Sequence, residues 1–141
     1  ERPHGTYPPR PTGTPRANAI VTLANGGSGA DRLQADGGDA TLLGASGDDT
    51  IVAINGVFVV RGGSGKDRIR TGDGADQVSG GGDADGIASG AGDDTVDLRD
   101  GLSDRAYCGA GADTVYADET DILKGCETVI RAAVLAGPRS R

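Results

Sequence analysis

The feature that most constrains how this chain can fold is an aliphatic residue at every ninth position across its middle. Eight residues follow this spacing without a slip: Leu33, Leu42, Ile51, Val60, Ile69, Val78, Ile87 and Val96. A fixed period of this kind is the signature of stacked repeats, in which each unit buries its apolar side chain against its neighbours. The chain is therefore expected to fold as a stack of nine-residue units.

Each unit places glycine and aspartate at fixed positions ahead of its aliphatic residue. Within the nine positions, glycine is frequent at 1 and 4, aspartate occurs at 6, and the aliphatic residue is at 8. The clearest copies are GGSGADRLQ (26–34), GGSGKDRIR (62–70), TGDGADQVS (71–79) and SGAGDDTVD (89–97). Glycine permits the positive φ angles of tight turns, and alternation along a strand points one side chain of three inward. Each unit therefore predicts six residues of turn followed by three of strand.

Two units make one coil, with a short strand on each side. Stacked coils would form two parallel sheets with about 4.8 Å between neighbouring strands. Leu, Ile, Val and Phe account for 26 of the 141 residues, which is low for an ordinary globular core. The stack needs few apolar residues because every aliphatic side chain lies inside. We expect an all-β fold with two short-stranded parallel sheets and about 18 residues per coil.

The acidic residues are 18 aspartates and only 3 glutamates, and the formal net charge is −7. Residues one coil apart lie on the same side of the stack, so the position-6 aspartates form two ladders. The first ladder contains Asp31, Asp49, Asp67 and Asp85, and the second ladder contains Asp76 and Asp94. Carboxylates and the carbonyls of glycine-rich turns are hard oxygen ligands that suit Ca²⁺ better than Zn²⁺ or Mg²⁺. Without metal, the stacked carboxylates would repel one another.

The repeat resembles GGxGxDxUx, where U is a large aliphatic residue, the nonapeptide of RTX calcium-binding proteins. The resemblance covers residues 26–116 and implies a right-handed parallel β-roll that is commonly disordered until calcium binds. It implies that Ca²⁺ lies between the turns of successive coils, held by position-6 carboxylates and by carbonyl oxygens of turn glycines. Those glycines are Gly26, Gly44, Gly62, Gly80, Gly72 and Gly90.

Two departures from the repeat limit the number of expected calcium sites. The turns at 35–40 (ADGGDA) and 53–58 (AINGVF) have no aspartate at position 6, so no ordinary site is expected there. After Val96 the register slips by one position. Asp104 extends the first ladder from Asp85, and Asp113 extends the second ladder from Asp94, each through a step one residue longer than a regular coil. The expected ion-binding pairs are 31/49, 49/67, 67/85 and 76/94, with 85/104 and 94/113 as further candidates. We therefore expect about four to six Ca²⁺ ions.

The two cysteines, Cys108 and Cys126, are separated along the chain by the length of one coil. They would lie on the same side of successive coils, within bridging distance, and we expect a disulfide. The alternative is two unrelated buried thiols, and a zinc site is disfavoured because the only histidine is His4. A disulfide implies an oxidising compartment, and the ending DILKGCETV (121–129) resembles caps of secreted bacterial calcium-binding proteins. The expected location is extracellular.

Composition divides the chain into five segments. Residues 1–17 hold five of the six prolines and predict an arm or linker, and residues 18–25 predict an N-terminal capping strand. The roll then occupies 26–116, a C-terminal cap with the disulfide occupies 117–131, and a tail occupies 132–141. No signal peptide is visible, so we expect a mature protein or an excised module.

The only dense apolar run, Val57–Val60, falls in a turn that lacks its aspartate. One interpretation is local packing that replaces a missing ion. The other is a docking patch for the proline-rich arm, of this copy or of a neighbour, with Tyr7 or Pro8 touching Phe58. The sequence leaves both open.

A second open feature is a set of basic residues on the outward positions of one sheet: Arg32, Arg68, Arg70 and Arg105. Such a face could recognise a polyanion such as an acidic polysaccharide. It could equally be a solvated face balanced by neighbouring aspartates. The spacing alone does not distinguish the two.

The sequence favours a structural calcium-binding module over an enzyme. Aspartate pairs such as Asp48–Asp49 recur with the repeat and have no partnering His or Lys, so no nucleophile and base can be assembled. The scattered basic residues argue against nucleic-acid binding, and no apolar stretch is long enough to span a membrane. Three roles remain: a structural module for extracellular matrix, adhesion or assembly; a folding or targeting appendage of a larger secreted enzyme; and a homo-oligomer or filament subunit joined through the roll ends or the arm.

Overall fold

The computed structural model describes Thr12–Gly13 and residues 23–131, and its regular secondary structure there is entirely β-strand. In chain order the strands are β1 (Thr12–Gly13), β2 (Leu23–Ser28), β3 (Arg32–Asp36), β4 (Ala40–Ser46), β5 (Thr50–Ile54), β6 (Phe58–Ser64), β7 (Arg68–Thr71), β8 (Gln77–Gly81), β9 (Gly86–Ala88), β10 (Thr95–Asp97), β11 (Arg105–Tyr107), β12 (Thr114–Ala117), β13 (Ile122–Lys124) and β14 (Thr128–Arg131). Each strand pairs in parallel with the strand two further along the chain.

The odd-numbered strands form the first sheet and the even-numbered strands form the second sheet, with seven strands in each. The chain alternates between the sheets, so two consecutive strands and their turns make one coil. About six coils of about 18 residues stack into a parallel β-solenoid. The predicted fold class is confirmed.

The register between coils follows the aliphatic residues. Ile51 pairs with Ile69 one regular coil further along the chain, whereas the step from Val96 to its partner Val115 is longer by a single position. The register places the additional residue of the longer coil between β10 and β11. Leu98, which directly follows β10, is buried in the interior. The slip predicted after Val96 is therefore absorbed without breaking the parallel pairing.

The eight regularly spaced aliphatic side chains form the core, and none is more than 3% exposed. Burial of one such side chain stabilises a fold by about 1.5–3 kcal/mol. A second inward row lies two residues further along each strand and contains small residues: Ala35, Ala53, Thr71 and Ser89 in the first sheet, and Gly26, Gly44, Gly62 and Gly80 in the second. From β3 to β9, one large and one small inward residue per strand fill a narrow interior, which explains how a sequence poor in aliphatic residues forms a core. After β10 the buried Leu98 takes the small position.

Phe58 fills the place of a ladder aspartate at the start of β6. Its side chain is fully buried, and its N–H donates a 2.8 Å hydrogen bond to Oδ1 of Asp76. The aromatic ring therefore packs locally where the repeat would otherwise place a carboxylate, while Val57 remains exposed. The contacts predicted for Tyr7 and Pro8 lie outside the described residues.

The predicted disulfide between Cys108 and Cys126 is present, with the two Cα atoms 5.1 Å apart. Cys108 follows β11 and Cys126 follows β13, so the bond joins successive coils at the C-terminal end of the described chain. The N–H of Cys108 also donates to the carbonyl of Lys124 at 3.0 Å. These contacts fix the last two coils to each other.

The outermost described strands leave apolar side chains exposed. Leu23 lies in β2 at one end of the roll, and Ile122, Val129 and Ile130 lie in β13 and β14 at the other. β1, which lies inside the segment 1–17 predicted to be an arm, pairs with β3. The remainder of that arm, most of the predicted capping strand and the predicted tail lie outside the described residues, and the segment boundaries stay predictions.

Candidate metal centre: the aspartate ladders

The aspartates of the first ladder are connected by hydrogen bonds from backbone to side chain. The N–H of Asp31 donates to Oδ1 of Asp49, that of Asp49 to Oδ1 of Asp67, and that of Asp67 to Oδ1 of Asp85, each at 2.8 Å. Asp85 donates in the same way to Asp104 at 2.7 Å. From Asp49 onward, one carboxylate oxygen of each aspartate thus joins its coil to the preceding one.

The second ladder follows the same rule over fewer coils. The N–H of Asp76 donates to Oδ1 of Asp94 at 2.8 Å, and that of Asp94 donates to Oδ1 of Asp113 at 2.9 Å. Asp113 in turn donates to Oε2 of Glu127 at 3.0 Å. The two longer steps, to Asp104 and to Asp113, are therefore built like the regular ones.

The second carboxylate oxygen, Oδ2, is buried and has no hydrogen-bond partner in nine aspartates. They are Asp31, Asp49, Asp67, Asp76, Asp85, Asp94, Asp100, Asp104 and Asp113. A buried polar atom without a partner costs about 1–3 kcal/mol, and more when the group is charged. Eight of the nine are the aspartates predicted to be ligands, and all nine oxygens are available to a cation.

The position-1 glycines of the first ladder lie beside these free oxygens. A Cβ at Gly44 would overlap Oδ2 of Asp49 and the carbonyl oxygen of Gly62, and a Cβ at Gly62 would overlap Oδ2 of Asp67. Gly26 and Gly80 lie against their own aspartates in the same way. The absence of a side chain therefore leaves a cradle in which a carboxylate oxygen and a backbone carbonyl oxygen face each other across two coils.

A family model described as RTX calcium-binding nonapeptide repeat (4 copies) matches residues 24–53 and 61–96. The chain is an RTX nonapeptide-repeat protein. The segment that the match omits contains the turn in which Phe58 replaces the aspartate. No curated protein and no solved structure matches the chain. RTX repeats bind Ca²⁺ and form a non-catalytic domain, and the ladders fit that chemistry.

Side chains alone do not complete a metal site in the RTX roll. Over residues 23–131, no three side chains of His, Cys, Asp or Glu converge closely enough to hold an ion. Calcium takes six to eight oxygen ligands. A Ca²⁺ ion between coils would therefore need backbone carbonyls, such as that of Gly62, in addition to the carboxylates of Asp49 and Asp67.

The second ladder of the RTX roll lacks the glycine cradle because position 1 holds hydroxyl residues. Thr71 Oγ1 donates to the carbonyl of Ser89 at 2.7 Å, and Ser89 Oγ donates to the carbonyl of Cys108 at 3.1 Å. Among the predicted ligands, Gly72 lies against Ile54, and Gly90 lies against backbone carbonyls but no carboxylate. The structure therefore brings glycine and aspartate together in the first ladder and separates them in the second.

Asp100 is the one buried, unpartnered carboxylate that sequence reasoning missed. It lies in the irregular coil after β10, and its Oδ1 accepts a 2.7 Å hydrogen bond from the N–H of Leu102. Its charge is close enough to raise the pKa of Asp85 and Asp104. The available signal was its place in the turn RDGLSD (99–104), which ends in a ladder aspartate but lacks the glycine of position 1.

Burial raises the pKa of most ladder aspartates in the metal-free RTX roll, because desolvation disfavours the charged carboxylate. It brings the pKa of Asp67 and Asp94 to about 6 and that of Asp85 and Asp104 to about 7. The backbone hydrogen bond at Oδ1 opposes each shift, and repulsion from neighbouring aspartates adds to it. Near neutral pH the ladders thus carry negative charge that the fold alone does not compensate.

No helix long and apolar enough to cross a membrane occurs in the part of the chain that the structure describes.

Proposed function

We propose that this RTX roll is an extracellular structural module whose coils are ordered by Ca²⁺ bound between successive turns. The observation that carries the proposal is the row of buried, unpartnered Oδ2 atoms facing glycine cradles along the first ladder. The residues that would hold the ions are the predicted ligand aspartates together with carbonyl oxygens of the position-1 glycines. When bound, the ions supply positive charge and hard-acid coordination to these oxygens.

Electrostatic repulsion is the reason that cation binding and folding are coupled in this proposal. Two carboxylates one coil apart, at about 4.8 Å, repel by roughly 3 kcal/mol at an effective dielectric constant of about 20. Each Oδ2 also loses its hydration on burial. The chain by itself offsets these costs only through the Oδ1 hydrogen bonds and a core of one large aliphatic residue per strand.

The two ladders are proposed to differ in calcium affinity. In the first ladder, Gly44 and Gly62 leave room beside the carboxylates, so we assign the strongest sites to 31/49, 49/67 and 67/85. In the second ladder, the Thr71 hydroxyl already engages the carbonyl of Ser89, which weakens the 76/94 site. Asp100 adds a carboxylate near Asp104 and supports an 85/104 site. The proposed total stays at four to six ions.

The proposed extracellular location rests on the disulfide and on the family. Disulfides persist in oxidising compartments and are rare where thiols are kept reduced. The Cys108–Cys126 bond ties the last described coils together, and RTX proteins are typically secreted. Immunodetection of the protein in the medium and in cell fractions tests this location.

Self-assembly through the roll ends is a second candidate function, favoured by the exposed apolar residues at the end strands. Ile122, Val129 and Ile130 lie on β13 and β14, whose outer edges have no further paired strand in the described chain. Open strand edges are templates for pairing with another chain. Sedimentation with and without Ca²⁺ tests this candidate, because assembly predicts a concentration-dependent rise in mass.

The decisive experiment for the calcium module is circular dichroism during a calcium titration of the oxidised protein at neutral pH. We expect little β-structure in chelator and a cooperative gain of strand signal on Ca²⁺ addition, with Mg²⁺ much less effective. The titration is repeated with reductant to separate the contribution of the disulfide. A chain that keeps its full strand signal in excess chelator at this pH contradicts the proposal.

A further inference from the structure

The outer face of the first sheet contains a groove that follows β9, hereafter the β9 groove. The outward residues of that repeat, Ala84, Gly86 and Ala88, are all small. Gly86 pairs with Arg68 on one side and with Arg105 on the other, so both arginines flank a position without a side chain. The two walls are two strand spacings apart, about 9.6 Å. The floor of the groove is therefore one strand wide and open to solvent.

The walls of the β9 groove are basic and partly aromatic. On one side lie Lys66, Arg68 and Arg70, which are all exposed. On the other side lie Arg105 and Tyr107, and the Tyr107 side chain is 51% exposed. Two adjoining hollows of about 640 and 410 Å³ share Arg68, Gly86 and Arg105 in their linings. The four cations thus border one continuous depression.

The lining of the smaller hollow contains Arg68, Arg70 and Arg105 and no carboxylate, whereas aspartates share the lining of the larger hollow with Lys66. Within the described residues, the only ion pair joins Arg99 to Asp97, and Asp97 lies on the second sheet. The interpretation of the arginine row as a face balanced by aspartates therefore loses its support. The chain carries net negative charge, yet it gathers unpaired basic side chains along a single groove.

We propose that the β9 groove binds a linear acidic polysaccharide, with carboxylate or sulfate groups on Arg68, Arg70 and Arg105 and a sugar ring against Tyr107. Guanidinium groups form paired hydrogen bonds with such anions, and a half-exposed tyrosine offers an apolar face beside a polar hydroxyl. Small residues along β9 let the polymer approach the sheet closely.

The charge distribution favours a polysaccharide over a nucleic acid. Duplex DNA carries one charge per about 1.7 Å of its axis, so it would meet strong repulsion from a chain with net charge −7. Asp48 and the ladder residues Asp49, Asp67 and Asp85 line the larger hollow and make it the acidic end of the groove. A polymer with its charges spaced along sugar rings can place them on the arginines and avoid this acidic end.

The inference rests on the proposed function in one respect, because cations on Asp49 and Asp67 would reduce repulsion at that acidic end. Binding is therefore measured on the calcium-loaded chain, with circular dichroism of the same sample. A sample that is ordered but does not bind contradicts only the groove. A sample that is not ordered by calcium contradicts the proposed function first.

The test is binding of the full chain to immobilised heparin and hyaluronate, which separate sulfate from carboxylate chemistry, in Ca²⁺ at moderate ionic strength. Neutral dextran and duplex DNA are the comparison ligands. We expect binding to at least one acidic polysaccharide and not to dextran. Arg68→Ala with Arg105→Ala should weaken that binding by about tenfold or more, and Arg61→Ala on the second sheet should leave it unchanged.

A substitution that fills the β9 groove tests polysaccharide binding without removing a charge. A Cβ at Gly86 would meet nothing within 4 Å, so Gly86→Gln fills the groove without strain, and Gly82→Gln is the matched control in the same coil. We expect only Gly86→Gln to reduce binding. No binding to either acidic polysaccharide, equal binding to dextran or DNA, or full binding by Gly86→Gln would each overturn the proposal.

Discussion

The backbone N–H of Asp49 donates a 2.8 Å hydrogen bond to Oδ1 of Asp67, while Oδ2 of Asp67 stays buried without a partner. The same carboxylate therefore has two separate roles. One oxygen joins adjacent coils through the backbone, and the other is the proposed ligand of a cation. The chemistry of the RTX roll follows from this division, because hydrogen bonding fixes where the carboxylates lie but does not compensate their charge.

Asp67 lies between Asp49 and Asp85, so its carboxylate belongs to two of the proposed sites. We expect Asp67→Asn to raise the calcium concentration needed for half-maximal strand signal by at least about tenfold, because asparagine keeps the acceptor but loses the charge. Circular dichroism during calcium titration measures this midpoint. Asp73→Asn, an exposed aspartate in a neighbouring turn, is the control. Equal midpoints for the two variants would show that the ladder register is wrong.

The inequivalence of the ladders predicts different costs for matched substitutions. Asp49→Asn removes a carboxylate that faces the glycine cradle, whereas Asp94→Asn removes one beside the Ser89 hydroxyl. We expect the first to remove more tightly bound Ca²⁺ than the second, as counted by isothermal titration calorimetry. If Asp94→Asn causes the larger loss, the assignment of the strongest sites to the first ladder is wrong.

The cradle itself can be tested with one methyl group. A Cβ at Gly44 would overlap Oδ2 of Asp49 and the carbonyl oxygen of Gly62, so Gly44→Ala should destabilise the calcium-loaded roll by about 1–3 kcal/mol. Gly82→Ala is the control, since a Cβ there meets nothing within 4 Å. Urea unfolding in saturating Ca²⁺ compares the two free energies. Equal stability of both variants would argue against a tight cradle at Gly44.

The raised pKa values predict how the metal-free roll responds to pH. The folded-state pKa is about 6 for Asp67 and about 7 for Asp85, against an ordinary value of 3.8. Between about pH 4 and 7 the folded chain then binds more protons than the unfolded chain, so the free energy of unfolding falls as pH rises. In chelator, we expect more strand signal near pH 5 than near pH 8.

Calcium should reverse this dependence, because protons and Ca²⁺ compete for the same carboxylates. In a fixed low calcium concentration, strand signal should be lost as pH falls from 7 toward 6. For the metal-free protein, a strand signal in chelator that rises with pH would contradict the raised pKa values of the ladder aspartates.

The disulfide should stabilise the C-terminal coils specifically. On the chain-entropy model, a bond that closes a loop of this length contributes about 3 kcal/mol. We expect Cys126→Ser to lower the free energy of unfolding by about that amount, and hydrogen exchange should quicken in β11–β14 more than in β3–β6. Uniform quickening along the roll would mean that the bond supports the whole stack rather than its end.

The repetitive part of the molecule could be predicted because the regularly spaced aliphatic residues determine the length and register of each coil. The spacing of Ile51 and Ile69 gives the coil length, and the coil length places Asp49 above Asp67. Even the slip after Val96 follows from counting, since the ladder resumes at Asp104. A period therefore carries both the fold and the positions of the candidate ligands.

The remaining features depend on packing that counting does not give. Oδ2 of Asp100 is buried within the irregular coil after β10, and the position of Asp100 in the repeat does not predict this. The weaker calcium binding proposed for the second ladder depends on where the hydroxyl of Thr71 donates its hydrogen bond. Whether Phe58 packs inward or docks another segment depends on the volume left by the missing carboxylate, which only the three-dimensional arrangement determines.

The hydrogen bonds between ladder aspartates all have the same direction. The backbone N–H of each coil donates to the carboxylate of the coil that follows it along the chain. Each of these bonds needs both of its coils in place, so a new coil forms most readily against one that is already ordered. The cross-linked pair near Cys126 offers such a surface before any other part of the chain does. Folding would then begin beside the Cys108–Cys126 bond, and ordered coils would be added one by one toward Leu23.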